Sequence, residues 1–128
     1  MTYTMIKALD FLILGLYFLF IFFLSDQSSL PAPIWFEYQD KLYHAGAYFI
    51  MALLIWRAIR HYFRTPIIVV FASIIFCSLY GLSDEWHQTF VVGRSPDILD
   101  WVADTVGATL AMLFLTFLSR ITKKKELI

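Results

Sequence analysis

The chain has one cysteine, Cys77, and it lies inside an apolar run. No intrachain disulfide can form, and the thiol reads as a small buried hydrophobe. Charge is scarce too. Asp, Glu, Lys and Arg make up 16% of the 128 residues, too little polar surface for a soluble domain of this size. No basic patch alternates with polar aromatic surface, which argues against nucleic acid as a partner. Internal repeats, low-complexity tracts and tight zinc-type ligand spacings are all missing. So is an A-x-A-like cleavage site after the first apolar run, whose exit reads Ser25-Asp26-Gln27-Ser28-Ser29. That run reads as a retained helix rather than a secretory signal.

Apolar length is what the chain has instead: 60% of residues are hydrophobic and 19% aromatic. Four runs stand out. The first covers Ile6 to Leu24, and the second covers Leu42 to Trp56, broken only by His44. The third, Thr65 to Ser83, carries no charge, and the fourth, Ile98 to Ser119, contains Asp100 and Asp104. About 20 residues of helix cross a bilayer core. The second run reaches that length only if the Asp40 to His44 turn is helical. The expectation is a single all-α domain over residues 1–128: a polytopic membrane protein with four transmembrane helices.

Net charge is zero, but the signs are partitioned. With four spans, one side receives Lys7, Arg57, Arg60, Arg64, Arg120, Lys123, Lys124 and Lys125, eight of the ten basic residues. The other has Lys41 and Arg94, and eight of the ten acids. Excess Lys and Arg marks the cytoplasmic side, so both termini are expected in the cytoplasm of a multi-pass protein of the cell inner (cytoplasmic) membrane. Arg57 to Pro66 is a short basic turn, and Pro66 suits the first position of the third helix. Pro31-Ala32-Pro33-Ile34-Trp35-Phe36-Glu37-Tyr38 holds too many breakers for a span, and its Trp35 and Tyr38 suit the headgroup level. Ser95 and Pro96 are expected as N-cap and first position of the fourth helix.

Helical spacing gathers the polar residues. Asp40, His44 and Tyr48 share one face of the second helix. Tyr80, Asp84, His87 and Gln88 share one face of the third if it continues that far. Asp97, Asp100 and Asp104 line the fourth, with Gly107 and Ala108 below them allowing close helix approach. Asp97 also suits a helix start as a carboxylate favouring the dipole. Asp104 lies about 12 Å down the helix from Pro96 and needs a partner, Arg94 or a histidine. Glu85 points off the Asp84 face, towards solvent. His61 belongs to the basic turn, and Trp86 and Trp101 read as interfacial belt residues.

Two chemistries fit a cluster built by three helix ends. Imidazoles and carboxylates can bind a divalent transition ion, although the spacing signals this weakly. Alternatively His44, His87, Asp84, Asp97 and Asp100 supply acid–base groups, while Lys41, Arg94, Asp40, Tyr48, Gln88 and Asp104 hold a substrate, with Lys41 and Arg94 gripping a phosphate. A third reading is an ion-pair network that clamps the helices.

Asp40-Lys41-x-x-His44-x-x-x-Tyr48, Tyr80-Gly81-x-x-Asp84-Glu85-x-His87-Gln88-x-Phe90, Gly93-Arg94-Ser95, Asp97, Asp100 and Gly107-Ala108 together resemble the VanZ-like family of small bacterial membrane proteins. The match covers about residues 40–110. Two positions depart from the pattern: Asp104 stands where asparagine is frequent, and Val92 where proline often precedes Gly-Arg. The resemblance implies an integral protein of the bacterial cell envelope, and the family's named member is associated with teicoplanin resistance. Some relatives carry a phosphotransbutyrylase label, whose soluble acyl-CoA substrate does not suit a cluster facing away from the cytoplasm. Three functions follow as expectations: binding of a membrane lipid or cell-wall precursor, a membrane-embedded hydrolase or transferase acting on a lipid-linked substrate, and a translocator that would need to oligomerise.

Overall fold

The computed structural model describes residues 2–28 and 33–125, apart from the side chains of 123–125. The parts expected of Ser29, Pro31, Ala32 and the Lys123, Lys124 and Lys125 side chains lie outside the described residues.

Four helices make up the described chain: α1 (Tyr3–Ser25), α2 (Gln39–Ile59), α3 (Pro66–Gln88) and α4 (Ile98–Lys125). Each is long and apolar enough to cross a membrane, at 23, 21, 23 and, within α4, 25 residues. The Asp40 to His44 turn is helical, which brings α2 to spanning length. Helix α3 runs five residues beyond the expected Ser83, carrying Asp84, His87 and Gln88 with it.

The helix starts follow local chemistry. Thr2 caps α1, its hydroxyl accepting the Met5 amide at 3.3 Å. Pro66 opens α3, where a missing N–H costs nothing. The expected Ser95–Pro96 start of α4 is corrected: Asp97 is the cap, accepting the Leu99 amide on Oδ1 at 2.9 Å. Asp97 wins because a carboxylate there both meets an orphan amide and complements the helix dipole.

Burial is inverted relative to a soluble protein. Asp10, Ser73, Asp84, Glu85, Gln88, Asp100 and Asp104 are inside, while Leu12, Leu19, Phe71 and Leu79 face outward. A bilayer solvates the apolar residues, and polar groups retreat to the bundle interior. The apolar core is thin and centred on α2 and α4, with Tyr48, Met51 and Ile55 against Ala108, Ala111 and Met112.

Close contact between α2 and α4 depends on Gly107, where any Cβ would overlap the Ala45 carbonyl. This is the small-residue approach that replaces hydrophobic drive inside lipid. Between α3 and α4, the Trp101 indole N–H donates to the Ser78 carbonyl at 3.0 Å and its hydroxyl at 3.1 Å. Trp101 is therefore a pin between helices rather than a belt residue; Trp86 remains 69% exposed. Helix α1 packs least closely. Two tyrosines tie it in: Tyr17 donates to the Ala47 carbonyl and Tyr80 to the Phe18 carbonyl, both at 2.9 Å.

Candidate functional site

The first turns of α2 and α4 lie side by side, so the Asp40–His44 motif meets the Asp97–Asp104 stripe. Lys41 Nζ donates to Asp97 Oδ2 at 2.5 Å, Asp100 Oδ1 at 2.7 Å and Asp40 Oδ2 at 2.9 Å. An ammonium has three protons, and these contacts use them all. The expected phosphate grip by Lys41 is thus replaced by neutralisation of carboxylates within the protein. Asp97 lies outside the span, and the Lys41 ammonium beside it, with the Leu99 amide, holds its carboxyl below the ordinary value.

One turn deeper, His44 Nδ1 sits 2.9 Å from Asp104 Oδ1, and its Nε2 is 3.7 Å from Asp100 Oδ2. Asp104 is fully buried. Its partner is the histidine rather than Arg94. Gly81 on α3 makes room for it, since a Cβ there would stand 2.6 Å from Asp104 Oδ2. That oxygen has no hydrogen-bond partner among the described residues.

The α3 residues divide. Glu85 is buried rather than solvated: Oε2 accepts the Asp97 amide at 2.7 Å and fastens the start of α4 to the end of α3. Asp84 and Gln88 turn inward, Gln88 donating to Ser25 Oγ at 3.3 Å. His87 turns elsewhere, its Nε2 lying 3.1 Å from Asp26 Oδ1 and its ring against Phe22. The structure thus separates the two imidazoles: His44 belongs to the α2–α4 network, and His87 to an exposed pair with the end of α1. Arg94 follows Gly93, whose φ of +86° makes the turn. Its Nε donates to the Gln27 carbonyl at 2.7 Å and its Nη2 to the Leu24 carbonyl at 3.2 Å, closing the C-terminus of α1.

A cavity of about 330 Å³ opens between α1, α2 and α3 at this end of the bundle. Asp40, His44, Tyr48, Asp84, Gln88 and Arg94 line it together with apolar Ile21, Leu24, Ile34 and Ala47. Of the eleven sequence candidates, these six face one space. Lys41, Asp97, Asp100 and Asp104 stand behind it as a salt-bridged wall, and His87 stands apart.

The donor set does not suit a divalent ion. His44 Nδ1 is engaged by Asp104, Asp97 and Asp100 are held by Lys41, and His87 is on Asp26. Among the described residues no three His, Cys, Asp or Glu side chains are placed to hold a metal.

Sequence reading overlooked a second polar centre. Near the opposite end of the bundle, Asp10 Oδ1 accepts from Arg57 Nε at 2.6 Å and Oδ2 meets His61 Nε2 at 3.0 Å. His61 is part of an α1–α2 clip, not an idle member of the basic turn. The signal was a lone carboxylate inside an apolar run, which needs a partner in lipid. Ser25 and Gln39, which also line the cavity, carried no comparable signal.

The profile of the VanZ/LLP1 family matches residues 5–119. An uncharacterized protein of Schizosaccharomyces pombe is 29% identical over 92 residues, covering 71% of this chain and 52% of that protein. The chain therefore spans about half the length of this curated relative. No solved structure matches it. The family profile takes in most of α1 and α4, all of α2 and α3, and every residue of the polar network at their ends, and on that match the chain belongs to the VanZ/LLP1 family.

Proposed function

We propose that this VanZ/LLP1 protein binds a membrane lipid by its headgroup, in the cavity between α1, α2 and α3. One observation carries the reading: charged Asp40, Asp84 and Arg94 share a single hollow with apolar Ile21, Leu24 and Ile34, at the end of three helices that are each long enough to span a bilayer. A lipid headgroup joined to acyl chains has that same division. The partition of Lys and Arg supports a cytoplasmic-membrane protein with both termini inside and this cavity at the outer leaflet. A cell-envelope role of this kind fits the family's association with teicoplanin resistance. A reporter fused to the C-terminus is then active only in the cytosol.

The binding test uses the full chain purified in detergent and a panel of water-soluble dihexanoyl phospholipids, read by calorimetry. At least one binds saturably. Ala47→Phe fills the cavity and abolishes that binding while the variant remains folded. Unchanged affinity in the filled variant would overturn the reading.

One observation favours a second reading, a membrane-embedded hydrolase or transferase. Asp104 on His44 Nδ1 orients the imidazole of a residue that lines the cavity, the arrangement of a base held by a buried carboxylate. Turnover of lipid-linked phosphate or glycosyl substrates by the purified chain, lost in His44→Ala, is its expected result. A panel without any product counts against it.

A further inference from the structure

Resting on the headgroup reading, we infer that the cavity selects a zwitterionic phospholipid with a free ammonium, its amine on Asp84 and its phosphate on Arg94. Most polar groups around the hollow are already engaged within the protein. Asp40 is held by Lys41, and His44 by Asp104 with Asp100 beside its Nε2. Gln39 bridges the Pro33 carbonyl and the Trp35 amide, and Gln88 is on Ser25.

Three groups keep unused capacity. Asp84 is 6% exposed, lines the cavity, accepts from the Ser25 hydroxyl, and has no basic partner at salt-bridge distance among the described residues. The Tyr48 hydroxyl is buried and has no hydrogen-bond partner among the described residues, although its side chain lines the same space. Arg94 uses two N–H groups on α1 carbonyls, and a guanidinium has five.

What remains is thus one carboxylate without a counter-cation, one unpartnered hydroxyl and part of one guanidinium, and Asp84 and Arg94 do not neutralise each other directly. A purely anionic headgroup would satisfy Arg94 and face repulsion from Asp84. A purely cationic one would do the reverse. A phosphodiester joined to a primary ammonium answers both, and its remaining N–H protons can use the Tyr48 oxygen. The volume falls in the range of small-ligand sites, about 300–1,000 Å³. Ser25 and Leu24 put the hollow at the end of α1, a helix long enough to span a bilayer.

The test compares dihexanoyl phosphatidylethanolamine, its N-acetyl derivative and dihexanoyl phosphatidylglycerol on the unaltered full chain, then on Asp84→Asn and Arg94→Gln. The ethanolamine lipid binds about tenfold more tightly than the other two, as a charged hydrogen bond gained or lost requires. Asp84→Asn erases that preference and leaves the phosphatidylglycerol affinity equal or higher. Arg94→Gln weakens the ethanolamine and glycerol lipids together. Equal affinity for the amine and its acetylated form overturns the inference while the headgroup reading stands. Binding of none of the three overturns this inference, and binding of no phospholipid at all removes the reading beneath it too. The acetylated lipid is tested on unaltered protein, so a variant that fails to fold does not rescue the idea.

Discussion

His44 and Asp104 meet across the α2–α4 interface with Nδ1 and Oδ1 2.9 Å apart, and Gly81 of α3 opens the space that the carboxylate fills. Three helices thereby converge on one side chain that is completely buried. Gly81→Ala should force Asp104 aside, at a cost of about 1–3 kcal/mol. Asp104→Ser should relieve most of that cost. Unfolding in mixed micelles of the two single variants and the double variant gives the coupling. Strictly additive losses would show that Gly81 serves some other need.

Lys41 joins α2 to the start of α4 through the Asp97 and Asp100 carboxylates and also holds that of its neighbour Asp40. Lys41→Met leaves them with no cation between them, and stability should fall by about 3 kcal/mol or more. Asp97→Asn in the same background removes one uncompensated charge and should recover part of the loss. Micellar unfolding measures both, and a Lys41→Met protein of unaltered stability would contradict the pairing.

Asp97 carries a predictable pH dependence. Its carboxyl titrates lower in the folded chain than the ordinary value of 3.8, chiefly because it accepts from Lys41. The unfolded state therefore binds more protons as pH falls, so the stabilisation is complete above 3.8 and is lost as pH drops from there through the folded-state value. Asp97→Asn, which still caps the helix, should flatten the acid limb of a stability profile begun at about pH 6. An acid limb unchanged by the substitution would assign it to other carboxylates.

The Asp10 clip gives a control at the far end of the bundle. Asp10→Ala strands Arg57 and the well-buried His61, and about 2 kcal/mol of stability should be lost. Lipid binding by the folded fraction should keep its wild-type affinity. A matching loss of affinity would mean that the two ends are coupled.

The spans were legible because 20 apolar residues have few other uses, and the stripes Asp40–His44–Tyr48 and Asp97–Asp100–Asp104 because helical period alone puts them on a face. Partner choice was not legible. Lys41 finds Asp97 and Asp100, 56 and 59 positions away. Those pairings follow from how α2 is rotated against α4, which the contact of Gly107 with Ala45 sets and periodicity does not. The same limit hid the division of the histidines: His87 shares its helix with Asp84, but its ring lies towards α1 and Asp26. The two backbone carbonyls of α1 that Arg94 holds leave no trace in composition either.

The Gly107 contact has a directional consequence. Helices α2, α3 and α4 pack as a wedge, joined where the Gly107 and Ala45 backbones meet and where Trp101 bridges to Ser78. Helix α1 leans on that wedge through two tyrosine hydroxyls, the Asp10 clip and the Arg94 clasp. On the headgroup reading, the wall that α1 gives the hollow is therefore the one fastened by side-chain bonds rather than by backbone packing.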